Sequence, residues 1–343
     1  MQYTDTPVNQ YADKIGILLV NLGTPDAPET APVRRYLKEF LGDPRVVERP
    51  RWLWWLILNG VILNIRPKRS AAAYRAVWTD EGSPLLSIGK QQAANLAQRL
   101  SNSGDGSELI VRLAMRYGNP SVDSVISELQ DSGISKLLVV PMYPQYCAAT
   151  TASVFDAVSN SLQRRRWIPE TRFINHYYDR QDYIAALAAS VRESWEAHGR
   201  GDKLVLSYHG IPKSSTVKGD PYGRQCRETS EMLRTALDLG PDDILTVFQS
   251  RVGPEEWLQP YCDETLKSLP SQGVRSIDIL SPAFSADCLE TIEEINEENR
   301  GYFMEAGGER YQYIPALNDR EDHMAMFERL IRQHLRGWSE EIY

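Results

Sequence analysis

Two residues in this 343-residue chain stand where a side chain can handle a metal ion or a proton, His209 and Glu290. His209 directly follows an apolar run in KLVLSYHGIPKSSTVKGDPY, with Gly210 and Pro212 behind it. A histidine held at a strand end can bind a metal or accept a proton near neutral pH. A plain hydrogen-bonded histidine would fit the same position. The remaining histidines, His176, His198, His323 and His334, lie in polar or helical surroundings and read as surface residues. Glu290 lies in SPAFSADCLETIEEINEEN, where Asp287, Glu290, Glu294 and Glu298 follow α-helical spacing and share one face. One reading makes Asp287 an N-cap, Glu290 its capping-box partner and the later glutamates a solvated face. The other starts from the penalty for like charges four residues apart and sees a file of oxygen ligands for a passing divalent cation.

These residues need elements to hold them. Short apolar runs alternate with longer helical patterns, the signature of parallel α/β sheets. Strands are expected at 16–22, 108–116, 136–142, 203–208, 244–249 and 276–281, with a weaker one at 171–176. Helices are expected at 85–102, 121–133, 151–165, 180–198, 226–239, 255–268, 287–299 and 321–337. The runs lack polar alternation, as strands covered on both faces should. Several end in a Gly/Pro turn: Asn21–Pro25, Arg116–Pro120, Tyr208–Pro212 and Ser250–Pro254. The turns echo one another and suggest two similar halves, 1–160 and 161–320, with 321–343 as a closing helix. Ligands of open α/β sheets bind beyond the carboxyl ends of the strands, which nominates Leu22, Arg116, Tyr143, His209, Gln249 and Ser281.

Composition removes several classes. A net charge of −8 argues against a nucleic-acid partner. Cys147, Cys226, Cys262 and Cys288 form no C-x-x-C pair and read as reduced thiols of a cytoplasmic protein. No phosphate-binding glycine loop, G-x-S-x-G elbow or H-E-x-x-H helix occurs; Gly82-SPLLSI-Gly89-Lys90 has six residues between its glycines where four are needed. The start is polar, without a signal-peptide pattern, and no run reaches the roughly 18 apolar residues of a spanning helix. The nearest, Trp52–Ile65, is interrupted by Asn59, Gly60 and Asn64 and flanked by Arg45, Arg49, Arg51, Arg66, Lys68 and Arg69. It reads either as a buried helix or as an apolar lip that touches a membrane surface.

At both chemical segments the chain resembles the ferrochelatase family. SYHGIP with KGDPY matches the segment around that family's active-site histidine, and SPAFSADCLETIEEI the segment of its active-site glutamate. NLGTPDAP, VRRYLKEFL, EGSPL, AMRYGNP, PMYPQY, FQSRVGPEEWLQPY and EAGGERY fall in the family's order, so the resemblance covers about 15–320. It implies two Rossmann-like α/β domains, each a parallel sheet flanked by helices, with a porphyrin cleft between them. It implies His209 and Glu290 as catalytic residues on opposite sides of the insertion point, and Leu22, Arg116, Tyr117, Tyr143, Trp257 and Phe284 around the macrocycle. Glu294 and Asp287, with the catalytic pair, would meet the metal. Leucine at 22 offers no ligand, and Cys288 stands where some relatives have histidine. No cysteine follows Cys288, so the [2Fe–2S] cluster of some relatives is not expected, nor any tightly bound cofactor.

The implied activity is insertion of Fe²⁺, a substrate, into protoporphyrin IX, the last step of haem biosynthesis. The pyrrole protons must leave as iron sheds its water, and a bent ring presents those nitrogens best. Alternatives are a chelatase for coproporphyrin III or another tetrapyrrole, and a porphyrin or haem carrier without turnover. The expected location is cytoplasmic, peripheral to the inner face of a membrane.

Overall fold

The computed structural model describes residues 14–101 and 108–338; the polar start read above lies outside them. Eight strands run through the described residues: β1 Lys14–Thr24, β2 Glu108–Gly118, β3 Ile134–Pro141, β4 Glu170–Phe173, β5 Lys203–His209, β6 Ile244–Gln249, β7 Ser276–Leu280 and β8 Arg310–Tyr313. They form two four-stranded sheets, ordered β2-β1-β3-β4 and β6-β5-β7-β8, with every pairing parallel. Helices connect the strands, which makes each half a doubly wound α/β unit. Ile15, Ile17, Leu18, Leu19 and Val20 are all fully buried, which is why β1 reads as an unbroken apolar run and not an alternating one. The strand order of the first sheet recurs in the second, so the echo of Gly/Pro turns marks a real structural repeat.

One compact unit holds β1–β4: residues up to Met142, then Ala148–Asn175 and the chain from Met324 onward. The other holds β5–β8, in Tyr143–Cys147 and His176–His323. The division differs from a boundary at 160/161. Hydrogen bonding of β4 to β3 ties the chain through Phe173 to the first sheet. The closing helix, Glu321–Leu335, does not stand apart, since from Met324 it belongs to the first unit. Arg99 pairs with Glu328 at 3.2 Å, and Arg332 donates to the Arg99 carbonyl.

The same turn follows β4 and β8. Ile174 N–H donates to the Val139 carbonyl and Ile314 N–H to that of Ile279. Arg180 then grips Asp182 and Arg320 grips Asp322, both through Nε and Nη2, just where the next helix begins.

Four expectations need correction. β8 was not anticipated, because its four residues, RYQY, are short and polar at the sheet edge. The helix expected from 255 begins at Cys262, since the chain before it is strapped to the loop after β5. Lys213 N–H donates to the Glu256 carbonyl and Leu258 N–H to that of Ile211. The segment expected as an α-helix at 287–299 is a π-helix, Glu290–Glu298, running into an α-helix, Asn299–Glu305. Finally, His323 is not a surface residue. It is fully buried, its Nδ1 lies 2.7 Å from the Asn318 carbonyl, and burial depresses its pKa to about 4.

All four cysteines are buried free thiols. The lip, by contrast, faces outward. It folds as Arg51–Ile57, a π-turn Leu58–Ile62 and the start of Leu63–Val77. Trp52, Trp55, Leu56, Val61 and Ile65 are exposed, Trp52 by 71% and Ile65 by 70%. Trp54 alone of the three tryptophans is anchored, donating from Nε1 to the Leu41 carbonyl at 2.7 Å.

Candidate active site

In the second unit β5 and β6 run side by side, and their register pairs His209 with Gln249 at the carboxyl ends. Gly210 N–H closes the pair onto the Gln249 carbonyl at 2.8 Å. Glycine is required at 210: a Cβ there would lie 2.8 Å from that carbonyl oxygen and 3.1 Å from the Trp257 ring. His209 Nδ1 sits 2.7 Å from the Gly210 carbonyl. A carbonyl only accepts, so the proton is on Nδ1, and Nε2 keeps its lone pair for a metal or a proton.

The π-helix brings its acids to the same strand ends. Gln249 Nε2 donates to the Glu290 carbonyl at 2.9 Å and to Glu294 Oε2 at 3.2 Å. Ser250 Oγ donates to the same Glu294 oxygen. Ser250 adopts φ 65°, a left-handed conformation that costs a non-glycine residue energy and tends to be kept at functional sites. Burial pushes the Glu294 carboxyl up; the Glu290 charge adds to this, while the Ser250 hydroxyl, His209 when protonated and the Gln249 amide pull against it. A histidine and two carboxylates thus act on one another within a single unit. Carboxylates that feel one another's charge and are partly removed from water are poised to exchange a proton, or to exchange it for a cation.

Two neighbours stand differently from the sequence reading. Asp287 is taken up by structural hydrogen bonds. Its Oδ1 accepts from Thr291 Oγ1, the Tyr313 hydroxyl and Ala316 N–H, and its Oδ2 from Asn318 Nδ2. A carboxylate so occupied fastens the start of the π-helix to the turn after β8. The file of four acids therefore shrinks to Glu290 and Glu294, since Glu298 is exposed and accepts from the Tyr302 hydroxyl. Cys288 is buried. Burial first, and then the charge and hydrogen bond of Glu290, hold its thiol well above the ordinary range, so it remains protonated. Among the described residues no three His, Cys, Asp or Glu side chains form a ready-made metal cage.

Trp257 and Phe284 are half-buried in this unit, Trp257 pairing with Pro212 in a short bridge and Phe284 in the turn after β7, its N–H on the Ser281 carbonyl. Tyr143 belongs here too. Burial first, then the Tyr183 and Tyr143 hydroxyls, push the neighbouring Tyr177 phenol far up.

The first unit carries Leu22, Arg116 and Tyr117 at the carboxyl ends of β1 and β2, where Gly23 pairs with Tyr117. Leu22 is half-buried. Arg116 Nη2 donates to Asp43 Oδ2 at 2.6 Å, and its Nε to the Ser153 carbonyl at 2.9 Å. Ser153 Oγ and the Tyr117 hydroxyl converge on the same Asp43 oxygen, at 2.6 and 2.8 Å. Burial pushes the Asp43 carboxyl up, but hydrogen bonds from Ser153, the Arg45 N–H and Tyr117, with the Arg116 charge, outweigh it and leave it below the usual range. Tyr117 is fully buried beneath Arg116, which corrects its assignment to a ligand-lining surface. The sequence offered no sign of Asp43 or Ser153, which lie 73 and 37 positions from Arg116. Ser250 could have been found from its place beside Gln249.

The profile of one family, the ferrochelatases, matches residues 14–335. This chain belongs to the ferrochelatase family. It is 58% identical to the ferrochelatase of Teredinibacter turnerae, over 95% of this chain and 89% of that one. It is 56% identical to that of Marinobacter nauticus, over 95% and 88%. Among solved structures it resembles the sirohydrochlorin chelatase SirB of Bacillus subtilis subspecies spizizenii in complex with cobalt. That likeness has a TM-score of 0.54 at 10% identity, spanning 96% of this chain and 100% of that one, and it shows a shared fold. Membership makes the protein a lyase-class metal chelatase of haem and porphyrin biosynthesis, with a porphyrin and iron as substrates.

Proposed function

We propose that the protein inserts Fe²⁺ into protoporphyrin IX to form protohaem, releasing two protons in the last step of haem synthesis, with His209 and Glu290 as its catalytic pair. The observation that carries this is His209 paired with Gln249 at the strand ends, with the Glu290 carbonyl and the Glu294 carboxylate both held by Gln249 and the latter also by Ser250. Free Nε2 of His209 takes a pyrrole proton as the ring nitrogen acquires iron. Glu290, with Glu294 behind it, offers the negative charge that replaces the water Fe²⁺ gives up, and a buried carboxyl with a raised pKa takes up protons more readily than an ordinary one.

In the second unit the half-buried Trp257 and Phe284, with Tyr143, supply aromatic faces for a macrocycle. Arg116 of the first unit, paired with Asp43, is a fixed donor and not a free cation. The outward apolar face at 52–65 favours protoporphyrin over more carboxylated tetrapyrroles. That segment, ringed by exposed Arg49, Arg51, Arg66, Lys68 and Arg69, suits peripheral contact with the cytoplasmic surface of a membrane, where an insoluble porphyrin would arrive. Among the described residues no helix is long and apolar enough to cross a membrane.

The test is spectrophotometric insertion of Fe²⁺ or Zn²⁺ into protoporphyrin IX and, in parallel, coproporphyrin III. His209→Ala should abolish metallation while porphyrin still quenches tryptophan fluorescence. Retained insertion removes the assignment of His209, and faster wild-type turnover of coproporphyrin III replaces the substrate.

A further inference from the structure

Nothing in the sequence ETIEEINEE forces an unusual helix: it contains neither proline nor glycine, and the same residues would wind as an α-helix. Most π-helices are single-turn bulges within α-helices, yet this one runs for nine residues, Glu290–Glu298. Its register is therefore held from outside, and three side chains from different elements reach its carbonyls. Gln249 Nε2 donates to the Glu290 carbonyl at 2.9 Å. Asn299 Nδ2 donates to the Glu294 carbonyl at 2.7 Å. The Tyr311 hydroxyl donates to the Ile295 carbonyl.

Each donor is itself fixed. Ser207 Oγ donates to Gln249 Oε1 at 2.8 Å, which turns the amide nitrogen toward the helix. Asn299 is buried at 3% exposure, and its backbone N–H reaches the same Glu294 carbonyl as its side chain. One residue thus donates twice to the carbonyl that a π turn assigns to it. In an α register that carbonyl would belong to the N–H of Glu298, and Asn299 would turn away from it. Tyr311 is buried on β8. Two of the three clamped carbonyls belong to Glu290 and Glu294.

We infer that Gln249, Asn299 and Tyr311 are positioning residues that hold this helix in π register and so keep the Glu294 carboxylate seated on Ser250 and Gln249, with Glu290 one turn before it. Rewinding to α would swing Glu294 across the line through Glu290 and away from Ser250. The inference rests on the reading that these carboxylates serve metal insertion; the register itself can be observed without any turnover.

The variants are Asn299→Leu and Asn299→Asp, which keep size or shape but lose the donor, and Tyr311→Phe, which loses only a hydroxyl. The readouts are hydrogen exchange of amides 290–299, thermal melting, and kcat, KM and pH profile for Zn²⁺ insertion. Both Asn299 variants should speed exchange across 290–299 with cooperative melting retained. They should lower kcat by about tenfold with KM for porphyrin unchanged, the usual scale for losing an outer-shell partner, and shift the acid limb of the kcat profile. Tyr311→Phe should do the same to a smaller extent. Unchanged exchange and unchanged kcat in all three would overturn the inference, as would an equal loss in kcat and KM that follows melting temperature. If the wild type inserted no metal, the functional reading would fall, and the exchange data would still decide the register.

Discussion

The two sheets share a strand order, yet their carboxyl ends are finished in opposite ways. In the first unit the buried carboxylate is fully answered: Asp43 collects Arg116, Tyr117, Ser153 and the Arg45 N–H, and its carboxyl falls below the usual range. In the second, Glu294 stands against Glu290 with its carboxyl raised by burial, beside a serine in a left-handed conformation. One end is wired for stability, and the other keeps an unresolved tension. Repeating a fold therefore supplied two scaffolds whose strand ends are finished differently.

Substitution can break this contrast. Glu294→Gln should slow metal insertion by about a thousandfold, the range of a lost acid–base group, while the melting temperature stays level or rises. The sign follows from linkage. A raised folded pKa favours the protonated carboxyl and adds stability below the ordinary value, and that stability is lost as pH rises through the raised one. At neutral pH the charge is a burden, and glutamine removes it. Insertion assays paired with calorimetry check both halves.

Asp43→Asn should do the reverse. It leaves Arg116 buried without its counter-charge and should cost about 3 kcal/mol, read from denaturant unfolding. Because the folded pKa of Asp43 is depressed, its contribution is present above the ordinary carboxylate value and disappears as pH falls through the lowered one. The penalty of the variant should therefore shrink in acid. A penalty independent of pH would show that packing and not charge holds that cluster.

Ser250→Ala sharpens the comparison further. It removes one of the groups that hold the Glu294 pKa down, so the acid limb of the kcat profile should move to higher pH. A smaller effect is expected at the lip. Changing Trp52 and Trp55 to serine should weaken partitioning onto anionic liposomes by up to about 2 kcal/mol for each side chain, measured by co-sedimentation. Unchanged partitioning would remove the membrane contact.

The sequence exposed what is periodic and hid what is not. β1, β2 and β3, like β5, β6 and β7, were legible because strands covered on both faces leave dense apolar runs, whereas RYQY at a sheet edge leaves none. His209 stands out in the sequence because it directly follows a strand-like run, and Glu290 because it stands in a file of acids. The partners of Asp287, Tyr313, Ala316 and Asn318, lie 26 to 31 positions away and leave no local pattern. Helical spacing in a sequence also does not distinguish an α register from a π register. The polar clamps on that helix come from Gln249 and Tyr311, distant in sequence, and pairing across such separations leaves no local pattern to read.

The paired turns after β4 and β8 have one last consequence. Met326, Phe327, Leu330, Ile331 and Leu335 are buried residues of the Glu321–Leu335 helix, and from Met324 onward that helix belongs to the unit built on β1–β4. The unit built on β1–β4 therefore waits for the chain beyond residue 323 to be made before its hydrophobic interior can close. A nascent chain halted near residue 320 would carry an unfinished amino-terminal half, and chaperones would meet it in that state.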